Sequence, residues 1–283
     1  DSDCYYFDVF RVKGGKEHVK LTRGAVCEME LNNLNMVPYI PENDPYGMCF
    51  IRDKNSDENI SYATDPDFKF VRNTQIDRNP SEDWNAEWKY VDRYKGYFGS
   101  SEGKNIILKY KDLTDNSQVI SYDAFFDSYG AVYTCYPEKL KETKGHPEEM
   151  LPGIAVVRNG EAPLTSTFIG VYEPCEGDSN ISSIRKLKVQ DKDTGEQREG
   201  VAAVEIQCKN GYGDLLLASD IQENGIILQP EWDVETDAAF CLVRKEGNCL
   251  YKVTMMKGSY FKCGKWCIQL DKMENVYETS FSR

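Results

Sequence analysis

An all-β fold, a large antiparallel β-sandwich, is predicted by three features of the sequence. Short β-branched and aromatic runs recur at roughly 8–12-residue intervals beyond position 150, with Gly, Asn or Asp turns between them. No stretch sustains a helical apolar period, and no strand–helix–strand alternation occurs. The 283 residues are 40% hydrophobic and 12% aromatic without a low-complexity tract, which is enough apolar matter for one large domain over 1–283.

The chain opens with residues 5–23, YYFDVFRVKGGKEHVKLTR, in which two strand-like runs flank Gly14-Gly15. Gly-Gly suits a two-residue hairpin, because both central positions take positive φ. A tight turn pairs Lys13 with Lys16, Arg11 with His18 and Val9 with Lys20. Side chains alternate along a strand, so Arg11, Lys16, His18 and Lys20 share one face. That face reads either as the solvated side of a sheet or as a small anion-facing site, and periodicity does not choose between them.

A short mixed run follows at 25–31. Residues 32–67 hold four prolines among many Asn and Asp, the composition of a long loop. Strand character resumes at 68–74, and six aromatic residues crowd the next part: Trp84, Trp88, Tyr90, Tyr94, Tyr97 and Phe98. Such rings suit sugar stacking, but they are also ordinary strand residues that bury large areas, and core packing is the stronger reading. Further strands are expected at 105–110, 119–122 and 131–136. The one helical candidate is 137–144, closed by Gly145 and Pro147.

Strands at 154–158 and 167–172 lead into a run of expected hairpins. These pair 184–190 with 201–208 around Asp193-Thr194-Gly195, and 214–219 with 225–228. The last series runs 238–244, 250–256, 259–263 and 265–270.

A net charge of -13 excludes nucleic acid as a partner of the surface as a whole. It also makes any acidic glycan depend on local cationic clusters. No apolar run approaches the roughly 18 residues of a membrane-spanning helix. The start at Asp1 without Met, with strand-like sequence close behind it, leads to the expectation of a piece of a longer chain. Ten cysteines are scattered through a chain too large to need staples, so most are expected as buried thiols. Cys263 and Cys267 lack a second close pair, and His18 and His146 are far off in sequence, so no metal site is expected.

No Gly-x-Ser-x-Gly, phosphate-binding loop, zinc-protease or dinucleotide motif is present, and no cofactor is indicated. Asn59-Ile60-Ser61 and Asn180-Ile181-Ser182 match the glycosylation acceptor pattern. The residues alone assign no catalytic group.

Three segments carry a family resemblance. Residues 6–18 (YFDVFRVKGGKEH), 162–174 (APLTSTFIGVYEP) and 237–264 resemble, in this order, parts of the C-terminal β-sandwich of heparinase II/III-like polysaccharide lyases. The resemblance implies a secreted or periplasmic parent enzyme that cleaves uronate-containing glycans by β-elimination. In such enzymes a helical toroid precedes a supersandwich-like β-sandwich, and tyrosine and histidine, largely from the toroid and the first sandwich strands, usually serve as base and acid. This chain holds no toroid and no His-x-Asp-x-Gly-x-Phe stretch, and Arg23 stands where relatives often place a second histidine. The implied role is one wall of a glycan cleft, inactive without the toroid, with His18, Arg11, Lys20 and Arg23 contacting an acidic polysaccharide or oligosaccharide. The alternatives are a non-catalytic carbohydrate-binding or structural module of a secreted protein, and an enzyme complete in this chain.

Overall fold

The computed structural model describes residues 4–24, 27–39, 71–90, 104–125, 150–220 and 225–281. The expected strand at 131–136, the helix at 137–144 and most of the 32–67 loop lie outside the described residues. The fold is all-β, with four antiparallel sheets in a sandwich-like arrangement and no helix among the described residues. Contacts divide the chain into two compact units. One comprises Asp1–Arg11, Thr167–Glu173 and Asp178–Arg283, the other Val12–Ser166 and Pro174–Gly177.

The first strands in chain order are β1 (Tyr6–Lys13), β2 (Glu17–Arg23), β3 (Cys27–Asn32), β4 (Val37–Pro38) and β5 (Val71–Asp77). They are followed by β6 (Asn85–Tyr90), β7 (Ile106–Asp112), β8 (Gln118–Phe125), β9 (Met150–Asn159) and β10 (Thr165–Glu176). One sheet is ordered β2-β9-β8-β5-β4 and a second β1-β10-β7-β6-β3. Val19 and Leu21 on β2 pack on a cluster of Tyr39, Ile76, Ile120, Tyr122, Ala155 and Val157, so one face of the β2 sheet is apolar. Trp84, Ala86, Trp88 and Tyr110 are buried on the β6–β7 side. The Trp84 ring meets Tyr110 edge-on at 5.8 Å, and Trp88 lies 6.2 Å from it. The two tryptophans are therefore core residues, as the packing reading of the aromatic segment expected.

The opening is not a hairpin. β1 and β2 flank the Gly14-Gly15 turn, with φ of 115° and 62°, but they belong to different sheets. β2 pairs instead with β9, placing His18 opposite Arg158 and Lys20 opposite Val156. The turn gives its backbone bonds to the segment joining β9 to β10. Gly14 N–H donates to Leu164 O at 2.8 Å, Leu164 N–H to Gly15 O at 3.0 Å, and Gly160 N–H to Lys16 O at 2.9 Å. Two strand–turn–strand arches thus stack, and the register predicted across Gly-Gly does not form. Positive φ is needed in either geometry, so the glycines could not distinguish them.

The other unit holds β11 (Ile181–Lys186), β12 (Gln190–Asp191), β13 (Ala202–Cys208), β14 (Tyr212–Ala218), β15 (Ile227–Gln229) and β16 (Val234–Thr236). It continues with β17 (Phe240–Glu246), β18 (Cys249–Met256), β19 (Gly258–Cys263), β20 (Trp266–Glu274) and β21 (Tyr277–Ser280). Its sheets are ordered β11-β13-β14-β17-β18-β21 and β12-β15-β16-β19-β20. Leu215, Leu217, Cys241, Val243, Val253 and Met255 from the first sheet share one core with Ile227, Val234, Phe261 and Cys263 from the second. Each such fully buried aliphatic or aromatic side chain contributes about 1.5–3 kcal/mol of transfer free energy, so this core dominates the unit.

Ala202, Val204, Ile206 and Leu216 are buried on the opposite face of the first sheet. The Asp1–Arg11 segment belongs to this unit and is tied to that sheet through Tyr5 and Arg11. β11 pairs with β13 as expected for 184–190 and 201–208, although the Asp193-Thr194-Gly195 turn closes a Gln190–Gln197 bridge instead of joining them. The expected hairpins 238–244/250–256 and 259–263/265–270 form. The expected pairing of 214–219 with 225–228 does not, because β14 pairs with β17 while β15 joins the second sheet. Of the eight described cysteines, all free, Cys208, Cys241 and Cys263 are buried, Cys27 and Cys175 are half-buried, and Cys4, Cys249 and Cys267 are exposed. Burial is thus the minority state among them.

Candidate functional site

Alternation places His18 and Lys20 on the face of β2 opposite Val19 and Leu21, and this face turns inward. His18 is 7% exposed and Lys20 8%. His18 Nε2 lies 2.5 Å from Gly14 O and Nδ1 lies 2.8 Å from Ser166 Oγ. A carbonyl oxygen only accepts, so in the neutral ring Nε2 carries the proton and Nδ1 accepts from the Ser166 hydroxyl. Ser166 is fully buried at the start of β10. The imidazole therefore clips the first arch, through Gly14, to the first residues of the strand leaving the second.

Lys20 extends the buried polar row. Its Nζ stands 5.6 Å from the Tyr110 ring centroid. Tyr110 donates to Asp112 Oδ2 at 2.5 Å, and Thr114 donates to the same carboxylate through its N–H at 2.9 Å. Burial pushes the Asp112 carboxyl above its usual range, opposed by these hydrogen bonds and by the Lys20 charge. A burial-shifted carboxyl beside a lysine and a tyrosine is the kind of group that acid–base chemistry uses. Here Asp112 is 2% exposed and its partners face inward with it, so the same groups serve to order a core.

The other two predicted contacts lie elsewhere. Arg11 donates through Nη2 to Ala218 O at 2.7 Å and to Gly200 O at 3.1 Å, fastening its own segment to the sandwich. Arg23 is half-buried at the far end of β2, opposite Gly153, and its odd position puts it on the other face of the strand from His18 and Lys20. The structure therefore brings His18 and Lys20 together and leaves Arg23 apart from them.

Two further clusters escaped the sequence reading. Asp214, fully buried, takes a fork from Arg244 Nε and Nη2 at 2.7 and 2.6 Å and the Tyr5 hydroxyl at 2.5 Å. Burial and the Asp214 charge push the Tyr5 phenol upward, and the bond to Asp214 raises the Arg244 guanidinium. On the second sheet Glu235 accepts from Tyr260 at 2.9 Å and Lys262 at 3.0 Å and pairs with Lys192. These partners converge from strands far apart in sequence, so no local motif announces them. The nearest signal is the same-face spacing of Tyr260 and Lys262 on β19.

Among the described residues no group of three His, Cys, Asp or Glu side chains is placed to hold a metal, and no helix is long and apolar enough to cross a membrane. No family model matches the chain, and no curated protein matches it.

Proposed function

We propose that this chain is the β-sandwich region of a heparinase II/III-like polysaccharide lyase, acting in a secreted or periplasmic parent as a scaffold along an acidic-glycan cleft. β-elimination needs a base for the C5 proton, an acid for the leaving oxygen and neutralisation of the uronate carboxylate. In this reading those groups come chiefly from the helical toroid, and the chain alone is inactive.

The observation that carries the reading is the stacking of the arches. Two of the segments that carry the family resemblance, 6–18 and 162–174, lie far apart in sequence, yet backbone bonds join their turns. The inward commitment of His18 and Lys20 supports a scaffolding role over direct catalysis. A second reading, a carbohydrate-binding module of a secreted protein, is favoured by one observation: the ring pair of exposed Tyr251 and half-buried Tyr212.

The test is an ultraviolet assay for unsaturated uronate, with the chain incubated against a panel of uronate polysaccharides. No absorbance growth is expected. Steady growth would place a whole active site in this chain and overturn the scaffold reading.

A further inference from the structure

One end of the unit containing β13–β18 carries a ring pair that its core does not use. Tyr212 begins β14 just after the Asn210-Gly211 turn, and Tyr251 sits on β18 beyond the turn at Gly247. Their centroids are 5.4 Å apart with the planes tilted 51°. Tyr251 is 39% exposed and Tyr212 half-buried. Both lie outside the core cluster of the unit.

Arg244 completes the group, with its guanidinium carbon 5.5 Å from the Tyr212 ring centroid. The fork onto Asp214 uses Nε and Nη2 and leaves Nη1 outside these bonds. Asp214 is itself anchored by Tyr5, so the guanidinium is held in place before any ligand arrives. The end of this sheet thus offers aromatic faces and a preset guanidinium donor together.

Charge narrows the ligand. Arg244 is balanced by Asp214, and Lys252 by Glu278 at 2.9 Å. The chain carries -13 overall. A sulfated or uronate ring would meet no net positive field here. An uncharged pyranose fits better, because its apolar face matches a tyrosine ring and its hydroxyls both donate and accept. Tyrosine also gives such contact at low entropic cost, having few rotatable bonds.

We propose that Tyr212, Tyr251 and Arg244 form a binding face for a neutral pyranoside, with Tyr251 as the stacking ring and Arg244 reading the hydroxyls. The proposal rests on the carbohydrate-binding reading and is independent of whether the parent is a lyase.

The test titrates the whole chain by NMR with cellohexaose, mannohexaose and β-1,4-galactohexaose, and with polygalacturonate as the acidic comparison. At least one neutral hexasaccharide is expected to bind. Tyr251→Ala should weaken it by about tenfold or more, as expected for loss of a ring contact at an exposed site. Tyr251→Phe should keep most of the affinity, and both variants should melt like the wild type. If neutral sugars bind equally well to Tyr251→Ala, this face is wrong and the carbohydrate reading survives. If only polygalacturonate binds, the neutral-ligand inference is overturned while a glycan role stands. If no sugar binds, both fail.

Discussion

Glu235 shows how a single side chain adds to the acid response of its unit. Val234 and Thr236 point into the core, so Glu235 faces away from it, toward Lys192, Lys262 and Tyr260. The bond from Lys192, followed by those from Lys262 and Tyr260, lowers its carboxyl from an ordinary 4.5 to about 2. A carboxyl with a depressed folded-state pKa adds stability above its unfolded value and loses it as pH falls through the folded one. Urea unfolding of the wild type should therefore show declining stability from about pH 4.5 toward 2, and Glu235→Gln should flatten that decline. Equal acid profiles for the two proteins would show that the two lysines do not hold the carboxylate in solution. Nothing in the sequence marked Glu235, because Lys192, Lys262 and Tyr260 reach it only through the pairing of β16 with β19 and the position of β12.

The stacked arches belong to the scale of elements, and they show which local signals are ambiguous. Strand positions were legible because alternation and turn residues are local: β1, β2, β13, β14 and β17–β20 fall close to the predicted runs. Short strands such as β16 and β21 were missed, having too few residues to display a period. Partner choice was less legible. A Gly-Gly turn serves a hairpin or an arch equally, and the choice is made by Leu164 and Gly160, far along the chain, which bond the turn's neighbourhood.

The turn itself makes a sharp prediction. Gly14 has φ of 115°, a region that is essentially closed to side chains, while Gly15 at 62° lies where Asn is tolerated. No atom lies within 4 Å of a Cβ built at Gly14, so the cost of a side chain there is backbone strain alone. Gly14→Ala should cost about 1–3 kcal/mol in urea unfolding, while Gly15→Asn should cost well under about 1 kcal/mol. Small, equal effects at the two sites would contradict the arch geometry.

For the molecule as a whole, three basic side chains of the opening, Arg11, His18 and Lys20, serve architecture. That His18 and Lys20 share a face was readable from alternation. Which way the face points was not, since it depends on Tyr110, Asp112 and Ser166, brought in by β7 and β10. Arg11 likewise reads as a surface cation in sequence, and only β14 and the residues ahead of β13 supply the carbonyls it binds. A protein with a net charge of -13 here buries the Lys20 ammonium against the Tyr110 ring and turns the Arg11 guanidinium onto backbone carbonyls.

The measurement that tests this assignment most directly is urea unfolding of His18→Ala beside the wild type at neutral pH. The variant strands the fully buried Ser166 hydroxyl and removes the bond to Gly14, so a loss of about 2 kcal/mol or more is predicted. A change within about 0.5 kcal/mol would place His18 in a solvent-facing role and contradict its place in the buried clip between the arches.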